Sequence, residues 1–214
     1  MDNIDFTRRE YYRHMSCDHR RSRPHWPRWM GWPITKYPSD MIQYQQILYE
    51  TRPELIIECG TAKGGSGLYF AHLMDLLNIK GGTVISIDIN SDKRELPKHP
   101  RLVHLTGSTL DKDIFAAVSK TLSGKKTMVS LDSDHSYRHV IQELELYHPL
   151  VTSGQYLVVE DTADDGLPAG KGNVCGANQA TEEFLQTHGH EYERKRYERQ
   201  IMFSCNPGSW LLRK

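Results

Sequence analysis

Leu55-Ile56-Ile57-Glu58-Cys59-Gly60-Thr61-Ala62-Lys63-Gly64-Gly65-Ser66 carries a short apolar run straight into a glycine-rich turn and the start of a helical pattern. Buried parallel strands read as near-continuous apolar runs, and the carboxyl end of such a strand is where an open α/β sheet meets its ligand. The same grammar recurs downstream. Thr83–Ile87 predicts a second strand finishing at Asp88, and Arg101–Leu105 a third. Met128–Leu131 predicts a fourth that runs into Asp132-Ser133-Asp134-His135, and Tyr156–Val159 a fifth that runs into Glu160-Asp161. Helical patterns fill the gaps at Met41–Thr51, Ser66–Ile79, Thr109–Leu122, Ser136–His148 and Ala177–His188. In the helix from Ser136, the residues Tyr137, Val140, Ile141, Leu144 and Tyr147 make one apolar stripe, and Pro149 closes it. Alternating strand and helix predicts an α/β fold with a doubly wound, mostly parallel sheet. The tail around Asn206-Pro207-Gly208 predicts a final strand pair, closing the sheet with an antiparallel C-terminal strand.

The 214 residues suffice for one domain with a real core, and the formal net charge of +0 gives no global field toward nucleic acid or membrane. No apolar run approaches the length of about 18 residues that a membrane span needs. The polar start Met1-Asp2-Asn3 argues against a secretory leader. The four cysteines, Cys17, Cys59, Cys175 and Cys205, are scattered without a CxxC pair, which fits a reduced cytoplasmic setting and no zinc knuckle. Charge is uneven along the chain. Arg8, Arg9, Arg13, Arg20, Arg21, Arg23 and Arg28 concentrate in an N-terminal arm, residues 1–33, ahead of the main domain at 34–214. This arm reads as solvated padding, a lid or a subunit contact, with a contact to RNA or phosphate as a further alternative. Trp26, Trp29 and Trp32, interleaved with Pro27 and Pro33, suggest that its end packs down as an irregular apolar plug, and they permit a homo-oligomer.

The turn after the first strand resembles a phosphate loop but fails both tests. Ser66 follows Gly65 where a P-loop needs Lys, and Ala62 stands where a dinucleotide fingerprint needs its second glycine. It also opens with an acid, Glu58, which repels pyrophosphate and suits an ammonium or amino-acid group. Asp88 is placed to accept the two hydroxyls of a ribose. An acid, a glycine loop with Thr61, Gly64 and Gly65, and a second acid together fit S-adenosylmethionine (SAM), which has a ribose and no phosphate. Close helix–strand packing is the plainer explanation for Gly64 and Gly65.

At the other two strand ends, Asp132, Glu160 and Asp161 are expected side by side. Crowded carboxylates repel unless a cation lies among them, and a hard divalent ion is the natural candidate.

Taken together, residues 55–66, Leu131-Asp132-Ser133-Asp134-His135-Ser136 and Val158-Val159-Glu160-Asp161-Thr162 resemble the cephalosporin hydroxylase (CmcI-type) family. That family has the Rossmann-like class I SAM-dependent methyltransferase fold and is similar to metal-dependent O-methyltransferases of sugar and natural-product biosynthesis. The resemblance implies that Asp132, Glu160 and Asp161 hold Mg²⁺ and that Glu58, Gly60, Ser66 and Asp88 line the SAM pocket. Ser108, in the Gly107-Ser108 pair near the adenine, is added to that pocket. His135 takes the role of general base beside Asp132. The implied reaction is methylation of a hydroxyl on a small sugar, diol or phenol, with no nucleic-acid or membrane partner.

Plainer roles stand beside these. His135 fits as a cap of the following helix, Asp134 as a capping acid, and Asp161 as a cap of its loop. Glu143 and Glu145 read as solvated helix charge, and Asp164 and Asp165 as solvated loop acids in a segment, 162–176, that lies over the site. Two rival functions also follow from these residues. One is a non-haem iron oxygenase using His135, His139 and Glu160. The other is a SAM-fold protein that binds without turnover.

Overall fold

The computed structural model describes residues 27–91, 95–166, 168–170, 173–197, 200 and 203–214, leaving aside the side chains of 168–170 and 173. The arginines at 8–23, Trp26 and Cys17 lie outside the described residues.

The described elements are β1 (Arg28–Trp29), β2 (Trp32–Pro33), α1 (Pro38–Thr51), β3 (Leu55–Cys59), α2 (Gly65–Leu76), β4 (Thr83–Asp88), β5 (Leu102–Thr106), α3 (Lys112–Ser119), β6 (Thr127–Leu131), α4 (Tyr137–Tyr147), β7 (Tyr156–Val159), β8 (Pro168–Gly170), β9 (Asn173–Val174), α5 (Ala177–His188), β10 (Tyr192–Lys195) and β11 (Trp210–Arg213). Seven of the strands form one sheet in the order β10-β11-β7-β6-β3-β4-β5. Pairing is parallel from β5 across to β7, while β11 runs antiparallel to both β7 and β10. The doubly wound sheet and its antiparallel closure are therefore as expected.

Alternation along each strand sends side chains to two separate cores. Ile56, Val84, Met128, Val158 and Trp210 face the layer built by α1 and α2. Ile57, Ile85, Val129, Val159 and Leu211 face the layer of α4 and α5. Every residue of β3 is buried, Glu58 included, which explains why the strand is otherwise apolar throughout. This division decides where the acids at the strand ends point.

The element ends differ from the sequence reading in instructive ways. α1 starts at Pro38 rather than Met41, because proline is pre-organised for the first helical position and its missing N–H costs nothing there. α3 begins at Lys112, not Thr109. The Thr109 carbonyl accepts from the Tyr147 hydroxyl at 2.8 Å, and Asp111 accepts the Ser108 N–H at 2.9 Å, so both residues serve the turn before the helix. The tryptophan segment forms a two-strand ribbon around Met30-Gly31 rather than an irregular plug. It does pack down: Trp29 meets Tyr69 edge-on and donates its indole N–H to His72 Nδ1 at 3.0 Å.

Candidate active site

The register aligns the carboxyl ends of the four central strands. Cys59 is level with both Ile87 and Leu131, and Leu131 with Val159, so Gly60, Asp88, Asp132 and Glu160 leave the sheet together. Backbone bonds continue the ladder one residue further, from Gly60 N–H to the Ile87 carbonyl (2.8 Å), Asp132 N–H to Cys59 (2.7 Å) and Glu160 N–H to Leu131 (3.0 Å). Strand order reverses at β3, between β4 and β6, which is where such sheets open a crevice.

A cavity of ≈ 450 Å³ fills that crevice, lined by Gly60, Asp88, Ser108 and Asp132 among others. Asp88 sits at its edge with a fixed carboxylate, accepting the Ala62 N–H at 3.0 Å and the Asn90 N–H at 2.8 Å. Among the described residues the wall carries the acids Asp88, Asp132 and Asp134 together with apolar Ile87 and Ile89, and neither Lys nor Arg. Such a wall disfavours phosphate and accepts a cationic ligand with a hydroxylated ring. The other residues expected at this pocket lie behind it. Glu58 is fully buried and accepts the Ser86 hydroxyl at 2.5 Å. Burial raises its pKa, while Lys36 and the Ser66 and Ser86 hydroxyls oppose the rise. Thr61 shares a 2.8 Å hydrogen bond with Ser86, and Ser66 is buried in the first turn of α2. Gly64 and Gly65 serve packing: a Cβ would stand 2.4 Å from the Pro97 ring at the first and 2.2 Å from the Pro33 carbonyl at the second.

On the other side of Asp132 the acids gather. His135 Nε2 lies 3.2 Å from Asp161 Oδ2 and 3.6 Å from Asp132 Oδ1. One donor atom from each of Asp132, His135 and Asp161 falls within 4.8 Å of the others, so the two carboxylates could hold a divalent cation with the imidazole beside it. Burial alone would lower the His135 pKa, but Asp161, Asp132 and Glu160 raise it above the ordinary imidazole value. Asp161 sits in the left-handed region at φ +58°, accepts the Cys205 thiol at 3.1 Å and is tied through its N–H to Asn206 Oδ1 at 2.9 Å. The Gly176 N–H donates to the His135 carbonyl at 2.9 Å, tying the residue before α5 to the strand-end cluster.

Glu160 takes a different place. It shares a face with Val158, on the α1 side, and is buried there. Its Oε1 accepts from the Tyr44 hydroxyl, from Ser130 at 3.1 Å and from Lys36 Nζ at 2.6 Å, and its Oε2 accepts from Asn206 at 2.9 Å. Lys36 also donates to Asp132 Oδ2 at 2.9 Å. Its ammonium thus joins the two acids that the register places side by side. Burial by itself would lower the Lys36 pKa, yet Asp132 and Glu160 carry it well above the usual lysine value. Asp132 is raised, chiefly by burial and with help from Glu160 and Asp161, against the pull of Lys36 and His135.

Several residues have roles that the sequence reading missed. Lys36 lies 96 and 124 residues from its partners, with no local pattern to mark it. Asn206 appeared only as a turn residue. Glu143 is fully buried, not solvated: it accepts from Ser133 at 2.6 Å and from Thr109 at 2.5 Å, bracing the cavity floor. Asp164 is buried beside Asp161 and Cys205. Asp165 caps α5, accepting the Asn178 and Gln179 N–H groups at 2.8 and 2.9 Å. Asp134 takes the Ser136 N–H at 2.9 Å, closing the turn ahead of α4 rather than capping a helical N–H. Glu145 is exposed, as expected. His139 turns to Glu143 (3.2 Å) and Thr109 (3.1 Å) rather than joining His135 and Glu160, which removes the geometry of the iron site.

The sheet order, the crevice at β3 and the acids beside it define a class I methyltransferase fold. The family model described as rhamnosyl O-methyltransferase/CmcI matches residues 25–214, and the chain belongs to that family of SAM-dependent O-methyltransferases. The rhamnosyl O-methyltransferase of Mycobacterium tuberculosis (strain ATCC 25618 / H37Rv) is 36% identical over 194 residues, covering 86% of this chain and 77% of the relative. That of Mycobacterium leprae (strain TN) is 33% identical over 190 residues, covering 87% and 82%. Among solved structures, CmcI with Mg and SAM superposes with a TM-score of 0.65 at 20% identity, covering 87% of this chain and 75% of that one. At that identity the likeness is one of fold. No helix among the described residues is long and apolar enough to cross a membrane.

Proposed function

We propose that the protein methylates a hydroxyl of a sugar, using SAM and a divalent cation of the Mg²⁺ type. The single observation that carries this reading is the position of Asp132, which both lines the ≈ 450 Å³ cavity and contributes to the cluster with His135 and Asp161. The relatives named for rhamnosyl methylation support a glycosyl acceptor with neighbouring hydroxyls.

When bound, SAM supplies an electrophilic methyl on a sulfonium centre, and a cation held by Asp132 and Asp161 lowers the pKa of an acceptor hydroxyl and fixes its oxygen. The remaining work falls to side chains of this chain. Asp88 is the partner for ribose hydroxyls, its orientation already set by the Ala62 and Asn90 amides. His135 accepts the acceptor's proton at Nε2, the atom that faces Asp161 and Asp132, and those carboxylates stabilise the imidazolium that forms. Glu143 keeps Ser133 and Thr109 in place at the cavity wall. Gly60 lets the turn after β3 approach Asp132 closely enough for cofactor and acceptor sites to adjoin.

The test is turnover of isotopically labelled SAM on a panel of rhamnosyl and other deoxyhexosyl glycosides, read by mass spectrometry. Mono-methylated product that disappears with EDTA, and with Asp132→Asn, is expected. Turnover indifferent to both would overturn the cation's place in this reading.

A further inference from the structure

The acid pair Asp132–Glu160 already carries a cation of the protein's own. Lys36 Nζ lies 2.9 Å from Asp132 Oδ2 and 2.6 Å from Glu160 Oε1, and its side chain is about 1% exposed. The ammonium stands 5.4 Å from the centre of the Tyr44 ring, whose hydroxyl itself binds Glu160. Ser130 also donates to Glu160 Oε1, and Asn206 to its Oε2. The atoms of the His135 cluster come instead from the opposite side of Asp132, whose Oδ1 faces Nε2 at 3.6 Å. One carboxylate therefore serves two positive groups, one on each oxygen.

We propose that Lys36 is a positioning residue that competes with the divalent cation for the strand-end acids. Its charge holds Asp132 and Glu160 together when no ion is present and weakens the ion's hold when one arrives. The inference rests on the cation reading above and deepens it. Two like charges on one half-buried carboxylate repel, so ion affinity is set by Lys36 as much as by the acids. Leaving buried Glu160 and half-buried Asp132 without this ammonium is costly, so the metal-free fold depends on it.

The probe is Mn²⁺, whose binding is followed by electron paramagnetic resonance and calorimetry on the full chain, with thermal unfolding measured in EDTA and in Mn²⁺. Lys36→Met removes the charge at similar length, and Lys36→Arg keeps it. Lys36→Met is expected to bind Mn²⁺ about tenfold or more tightly than the unaltered protein, a gain of about 1.4 kcal/mol. It is also expected to unfold at a lower temperature in EDTA and to recover on adding Mn²⁺, while Lys36→Arg keeps the weaker affinity. A merely structural lysine would lower the unfolding temperature without tightening the ion. If Lys36→Met does not fold in EDTA, Lys36→Gln, which keeps a hydrogen-bond donor without the charge, is read by the same Mn²⁺ affinity comparison. Unchanged or weaker Mn²⁺ affinity in folded Lys36→Met overturns the inference and leaves the cation reading standing. Absence of Mn²⁺ binding in both proteins overturns the two together.

Discussion

A Cβ on Gly60 would stand 1.9 Å from the backbone carbonyl oxygen of Asp132. The turn that opens the cavity and the acid that joins it to the His135 cluster are thus in direct backbone contact. Gly60 also sits at φ +102°, where side chains are strained. Gly60→Ala must move either the β3 turn or Asp132. We expect a loss of about 2 kcal/mol or more from overpacking and backbone strain, read from urea denaturation, with methyl transfer falling further than stability alone explains. A variant as stable and active as the parent would show that the two strand ends are not rigidly coupled.

His135 should behave as a base whose proton is held by its acids. His135→Gln is expected to slow methyl transfer about 10²- to 10⁴-fold while leaving SAM affinity unchanged. In the metal-free protein, Asp161 and Asp132 outweigh burial and hold the imidazole pKa above its ordinary value. A raised pKa means that the ring stays protonated to higher pH and becomes a competent acceptor only above it. Asp161→Asn removes the nearest acid, so the imidazole resonances should titrate at lower pH than in the parent. A midpoint that stays put in Asp161→Asn would show that Asp161 does not govern this histidine.

The strand ends were legible because burial leaves a plain trace. A run such as Tyr156–Val159 ending in Glu160-Asp161 has few readings other than a parallel strand meeting solvent or ligand. The direction of each acid was less legible, although period-two alternation contains it. Ile56 and Val158 face the α1 side, so Glu58 and Glu160, two places on, point into that layer, whereas Asp161 turns the other way toward His135. Lys36 could not be found this way. Its role depends on β1, β2 and the start of α1 folding across the sheet ends, a tertiary arrangement with no local signature. Glu143 misled for a related reason: one helix face reads as solvated until the cavity floor packs against it.

Asp88 offers a test of the cofactor end that does not involve the metal. Its carboxylate is held by two backbone N–H groups and faces the cavity, so Asp88→Ala loses both a ribose partner and the brace on the Ala62 turn. Hydrogen bonds to a charged group contribute roughly 1.5–3 kcal/mol each. Calorimetric binding of S-adenosylhomocysteine should therefore weaken about tenfold to a hundredfold, equally with and without EDTA. Undiminished binding would move the ribose elsewhere in the cavity.

Asp40 predicts how stability responds to pH. It is buried in the first turn of α1 and accepts the Cys205 N–H at 2.8 Å. Burial pushes its pKa up to about 7 from 3.8, against the opposing effects of Ser204 and Cys205. The folded protein therefore keeps a proton that the unfolded chain releases. The stabilisation is complete below the unfolded pKa and declines as pH rises from about 4 to about 7. Asp40→Asn cannot titrate, and its amide remains neutral throughout. The stability difference between variant and parent should shift in favour of Asp40→Asn by up to about 4 kcal/mol across that window, at about 1.36 kcal/mol per pKa unit. Urea denaturation of both proteins at about pH 5 and about pH 8 captures about 2.7 kcal/mol of that shift, and parallel pH profiles would show that Asp40 is ionised in the folded state.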